Sequence, residues 1–254
     1  MSILKKFTTG GNPYLKGALT SSPPPVPSTS INSSALDVTD SMTIQGAINK
    51  TFILFGILLL TAILNYQAQN MFLMIAGGIG GFILVIVSLF KKQYVPYIAP
   101  VYAALEGLLV GGISGIYAGF GGGIVIQAIS LTLLVLFIML VIHKTGIIPV
   151  TQQFRMGVIM ATGAVALLYL ATFILSFFSI HIPFIHEGGT IGILFSLGVI
   201  GIASLNLLLD FDNIVKGEQY KAPKYMEWMS AMGLMITLIW LYLEMLRLLA
   251  KLRE

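Results

Sequence analysis

Seven long apolar runs, separated by short polar breaks, dominate the chain from residue 47 onward. They cover roughly residues 47–66, 70–90, 97–119, 123–142, 156–179, 190–214 and 229–249. A helix needs about 20 mostly apolar residues to cross the hydrocarbon core of a bilayer, and each run is of that order. The short connections predict antiparallel neighbours in a helical bundle. The pattern therefore predicts an all-α polytopic membrane protein, with a seven-transmembrane-helix bundle over residues 43–254. Lys91 and Lys92 end the second run, and Pro183, between His181 and His186, lies in the fifth connection.

Residues 1–42 follow a different pattern. They carry Pro23, Pro24, Pro25 and Pro27 among many Ser and Thr residues. Such a segment buries too little apolar surface to fold alone, which predicts a flexible cytoplasmic tail. No apolar stretch follows Lys5 and Lys6, so a signal peptide is not expected there.

Composition strengthens the membrane reading. Of the 254 residues, 57% are hydrophobic and 9% charged, against roughly 25% charged in a soluble domain. The absence of cysteine excludes disulfides and thiolate metal sites. The formal net charge is +4, with the basic residues in short loops. That suits an anionic membrane surface, and no basic domain face suggests nucleic acid. Lys5, Lys6, Lys16, Lys50, Lys91, Lys92, Lys144, Arg155, Lys216, Lys221 and Lys224 all fall on one side of a seven-span model, which predicts a cytoplasmic N-terminus. Arg247, Lys251 and Arg253 fall on the other side and weigh against it.

Small residues come next. Gly107, Gly111, Gly115 and Gly119 recur every four residues in the third run, and Gly77 and Gly81 repeat the spacing in the second. Such stripes let helix backbones approach closely; a flexible gate is the competing reading. The stripe includes GISG (112–115), a pattern also found around the serine of rhomboid-type intramembrane proteases. A serine nucleophile needs a base within hydrogen-bond reach, yet His143, His181 and His186 all fall in or beside loops. The GxGD pattern of aspartyl intramembrane proteases is absent. An enzyme is not expected.

Ionisable groups within a span are costly and are functional candidates by default. In LNLLLDFDNIVKG (205–217), Asn206, Asp210 and Asn213 share a helix face. This predicts an inward polar stripe, with Asp210 as its functional acid. Asp212 lies about 200° away and is expected to pair with Lys216. Glu244 lies well inside the seventh run, where Arg247 is a candidate partner. Glu106 sits about ten residues into the third helix, near mid-bilayer, with Tyr102 as a candidate partner or with its carboxyl kept neutral. Glu227, beside Trp228, reads as an ordinary interfacial acid.

LLLDFDNI, LYLEMLRLL and the Glu-bearing, glycine-rich third run together resemble the Bax-inhibitor family of transmembrane Bax-inhibitor-motif proteins. MTIQGAINKTF (42–52) and APKYMEWMSAMGLMITLIWLYLEMLRLL (222–249) look like its bacterial branch, whose members are labelled modulators of the membrane protease FtsH. The resemblance covers roughly residues 42–254. It implies seven helices with the last one central, and a pH-sensitive calcium leak channel in the inner membrane. It also implies a proton-sensing carboxylate pair, which maps onto Asp210 and Glu244, the latter a Glu where the family has Asp. Lys91 is the nearest equivalent of a basic latch. No cofactor is implied beyond Ca²⁺ as the permeant ion.

Two close carboxylates in low dielectric cannot both ionise cheaply. Ionised, they offer hard oxygen ligands suited to Ca²⁺, so Asp210 and Glu244 are also the candidate transient metal ligands. Depth argues against their contact. With helix six ending at Ile214 and helix seven starting at Ser230, Asp210 lies about 6 Å and Glu244 about 21 Å from the same membrane face. A non-enzymatic modulator that binds a membrane-embedded quality-control protease, with the tail as docking segment, is the competing function.

Overall fold

The computed structural model describes residues 41–121, 123–176, 178 and 189–253. The expected tail, apart from its last two residues, lies outside them, as do Pro183, His181 and His186. Seven helices long and apolar enough to cross a membrane occur among the described residues: α1 (Ile44–Ala68), α2 (Met71–Phe90), α3 (Val95–Ala118), α4 (Ile124–Thr145), α5 (Gln152–Ser176), α6 (Thr190–Gln219) and α7 (Met226–Lys251). A single 3₁₀ turn, Lys92–Tyr94, joins α2 to α3. The protein is an all-helical, polytopic membrane bundle. One end, here the basic end, carries the starts of α1, α3, α5 and α7.

Each apolar run lies on one of these helices, but several helices outrun the pattern at the basic end. α6 continues five residues past Ile214, and α7 begins four residues before Ser230. Backbone hydrogen bonding continues through polar residues where the chain leaves the hydrocarbon, so hydropathy alone underestimates helix length there. At the opposite end the turn between α1 and α2 is short and sharply defined. Gln69 adopts a left-handed conformation (φ 44°). Asn70 then caps α2, its side chain accepting from the N–H groups of Phe72 (3.0 Å) and Leu73 (3.3 Å), which satisfies two otherwise orphaned donors.

The last helix is the centre of the bundle. Of its most apolar window 67% is buried, against no more than 44% in any other helix. α7 packs along α1, α3, α4 and α6, whereas α2 lies against α3 and α5 against α6. A helix buried on nearly every side must be apolar nearly all round, so any acid it carries needs an identifiable partner.

The glycine stripe serves the α1–α3 contact. A Cβ at Gly107 would strike the Thr61 hydroxyl and the Leu58 carbonyl, and one at Gly111 would strike the Ala62 carbonyl. Gly77 plays the same part for α2, facing the Leu105 carbonyl. The expectation of four packing glycines holds less well further along. Gly115 has only ordinary contact with Gln69, and Gly119 follows the end of α3, facing nothing but the Ile116 carbonyl of its own chain. A constant four-residue spacing drifts around the helix, and α3 has ended before the stripe reaches Gly119. Between α1 and α4 a groove of about 790 Å³ opens laterally, its floor including Val110, Leu238 and Tyr242.

Candidate functional site

Helix length decides which acids meet. Because α6 runs to Gln219, Asp210 lies about 13 Å from the basic end of that helix. Because α7 starts at Met226, Thr237 lies about 16 Å from the same end and Glu244 about 27 Å. Asp210 accordingly pairs with Thr237, whose hydroxyl donates to Oδ2 at 2.6 Å. Glu244 is two helical turns further on, about 10 Å along the axis. The structure does not bring the two carboxylates together.

Glu244 is 1% exposed. Its Oε1 accepts from the Tyr169 hydroxyl of α5 (2.6 Å) and from the Arg247 guanidinium (2.7 Å). Arg247 also donates to the Tyr169 oxygen (2.6 Å), closing a three-membered network. The second oxygen, Oε2, is buried and has no hydrogen-bond partner among the described residues. Arg247 is thus the partner that the three-residue spacing suggested; Tyr169 is one that no local spacing could reveal.

The remaining predicted residues are dispersed. Asn206 donates to the Thr162 hydroxyl of α5 (2.7 Å) and to the Ile202 carbonyl (3.0 Å). Asn213 is exposed and accepts from Arg155 (2.7 Å). The expected inward stripe therefore splits: Asp210 turns to α7, Asn206 to α5, and Asn213 to the surface. Asp212 pairs with Lys216 (2.8 Å), as its spacing predicts, and also with Arg155.

Glu106 interacts with Tyr102, one turn earlier. Its carboxyl points at Gly81 of α2, where a Cβ would lie 2.9 Å from Oε1. Lys91 does not reach either predicted carboxylate. It follows α2, which packs on α3 rather than along α6 or α7, and it lines a crevice with Tyr94 and Tyr97. The latch is not made in this structure. Ser114 hydrogen-bonds the Tyr242 hydroxyl (2.7 Å) and the Val110 carbonyl (2.6 Å). His143 packs edge-on against Phe211.

A second polar site escaped the sequence reading. Glu227, only 2% exposed, pairs with Lys50 of α1. It also accepts from the Thr43 N–H (2.9 Å) and the Thr43 hydroxyl (3.0 Å). Gly46 leaves the space its carboxyl occupies, and Lys50 lies over the Trp228 ring, 5.6 Å from its centroid. One residue earlier, the Met42 N–H donates to the Ala222 carbonyl (2.7 Å), and its side chain covers Gly217. The beginning of α1 is thus fastened to the α6–α7 connection. Its sequence signal was the spacing Thr43, Gly46, Lys50, one helix face, opposite a Glu in the first turn of α7.

The three basic residues near the C-terminus are engaged internally. Arg247 binds Glu244. Lys251, 5% exposed, donates to the Gly192 carbonyl and the Ser196 hydroxyl, each at 3.1 Å. Arg253 holds the Gly121 carbonyl and the Gln127 side chain.

Among the described residues, seven spanning helices, the central one carrying a buried, arginine-paired glutamate, define a polytopic membrane protein with an ionisable core. The family model described as Bax inhibitor 1 like matches residues 11–254, and the chain belongs to that family. A comparison with curated proteins finds no match.

Proposed function

We propose that the protein is a pH-sensitive calcium (cation) leak channel of a bacterial inner membrane, with its N-terminus in the cytoplasm. The observation that carries this reading is Glu244 Oε2, a hard oxygen buried in the bundle with no donor among the described residues. Leaving a buried acceptor unsatisfied costs about 1–3 kcal/mol, more for a charged group. The position therefore favours whatever supplies the missing partner, and a proton or a divalent cation does so. Asp210 of α6, bound to Thr237, adds a second carboxylate at a level about 10 Å from Glu244 along the α7 axis. The two act as successive stations rather than as one shared-proton pair. Arg247 and a cation would draw on the same Glu244 carboxylate, through Oε1 and Oε2 respectively.

The test is Ca²⁺ flux into liposomes carrying the purified protein, measured between acidic and neutral pH. Wild-type flux is expected to vary with pH. That variation should be lost in Glu244→Gln and Asp210→Asn and kept in Asp212→Asn, whose carboxylate is held at the basic end by Arg155 and Lys216. No flux above empty liposomes at any pH sinks the channel reading.

A second reading, a non-enzymatic modulator that binds a membrane-embedded quality-control protease, is favoured by the fastening of Ser41–Thr43 to the α6–α7 connection. Ser41, the first described residue, lies at the basic end. Deleting residues 1–40 separates the two: a channel keeps its flux, and a tail-docked modulator loses co-purification with the protease.

A further inference from the structure

We propose that the crevice between α2 and α3 at the basic end is a binding site for an anionic phospholipid. The crevice has a volume of about 510 Å³, within the roughly 300–1,000 Å³ usual for ligand sites. Leu84 and Val87 form its α2 wall, and Ile98 and Val101 its α3 wall, with Lys91, Tyr94 and Tyr97 at its mouth. The walls are apolar and the mouth is cationic and phenolic, which is the order of groups down a phospholipid.

Charge selects the headgroup. The sequence contains no Asp or Glu between Asp40 and Glu106. Among the described residues Lys91 and Lys92 have no ion-pair partner. By contrast, Lys50 is neutralised by Glu227, and Arg155 and Lys216 share Asp212. Lys91 and Lys92 are exposed and stand side by side at the end of α2. Tyr94 (58% exposed) and Tyr97 (77%) flank them, at the level where aromatic side chains sit among headgroups. A phosphodiester at the mouth meets the Lys91 ammonium and two phenol donors, with the exposed Lys92 next in the chain and no carboxylate in the lining.

Depth selects a lipid over a partner's spanning helix. Leu84 lies seven residues before Lys91, and Val101 seven after Tyr94, so the walls reach about 10 Å below the mouth. That is about two-thirds of one leaflet, taking half of a roughly 30 Å hydrocarbon core. A spanning helix would use the full thickness. The upper part of an acyl chain fits the observed depth.

The experiment is lipid retention by the full-length protein, exchanged into nanodiscs of equal phosphatidylglycerol and phosphatidylcholine and read by native mass spectrometry. Wild type should retain phosphatidylglycerol with a preference of about tenfold. Lys91→Gln/Lys92→Gln should reduce that preference to near unity. Lys144→Gln/Lys221→Gln, which removes the same charge from the same end away from the crevice, should leave it intact. Val87→Trp, which fills the apolar wall but keeps both lysines, should also abolish it, and the elution profile and melting temperature of each variant report folding.

Equal retention of the two lipids by wild type overturns the proposal. So does an equal loss in the control pair, which would mean general surface potential only. Full displacement by millimolar glycerol phosphate would mean a headgroup-sized anion site only, and co-purification of a spanning peptide in place of lipid would assign the crevice to a protein.

Discussion

Lys50→Met is expected to destabilise the protein by about 1–3 kcal/mol, the cost of leaving a shielded polar group without its partner in a part-buried ion pair. Glu227 cannot escape to solvent, being 2% exposed and held from the other side by Thr43. Its remaining donors are neutral, and the Gly46 backbone lies directly against its carboxyl. Reversible unfolding in mixed detergent micelles measures the loss. The double variant Lys50→Met/Glu227→Gln should recover a substantial part of it, because the uncompensated charge is then gone. That non-additivity is the signature of direct coupling. Equal stability of Lys50→Met and wild type would show that the pair is a surface contact of little weight.

The second large effect is expected at Gly111. Valine there would place a branched side chain against the Ala62 carbonyl and main chain. Neither is the end of a flexible side chain, so the two helices must separate. Overpacking of this kind typically costs 1–3 kcal/mol or more, and here it opens the α1–α3 contact along its length. A fall in melting temperature with loss of the monodisperse peak in detergent is the expected readout. Valine at Gly119 is the control: with only the Ile116 carbonyl nearby, it should change the melting temperature little. Similar losses at both positions would mean that the stripe acts through backbone flexibility and not through close approach.

The spans were legible because the bilayer demands long apolar helices, and nothing else in the chain resembles them. Local pairings were legible for a similar reason: Asp212–Lys216 and Glu244–Arg247 follow from helix spacing alone. What could not be read were contacts between elements far apart in sequence. Tyr169 reaches Glu244 from another helix, Arg155 reaches Asp212 across the α5–α6 interface, and Thr237 takes the position opposite Asp210. The carboxylate pair failed on helix length. The sequence-based depths already disagreed, and the true ends of α6 and α7 deepen both residues without bringing them level. Glu227 looked like an interfacial acid because its partners, Thr43 and Lys50, belong to the start of the first helix.

The fastening of α1 to the α6–α7 connection also sets a schedule for biosynthesis. Lys50 and Glu227 are 177 positions apart. At about 5–20 residues per second, Glu227 is joined to the chain some 9–35 s after Lys50. In the later part of that interval α1 and α3 are both made and can pair, while α7, which also packs on α1, has yet to be made. The first helix must wait, held by α3 through Gly107 and Gly111, with the Lys50 ammonium kept at the interface by water and lipid phosphate. The bundle therefore closes only when its last helix inserts into the space prepared by the others, and its two ends are joined in that final step.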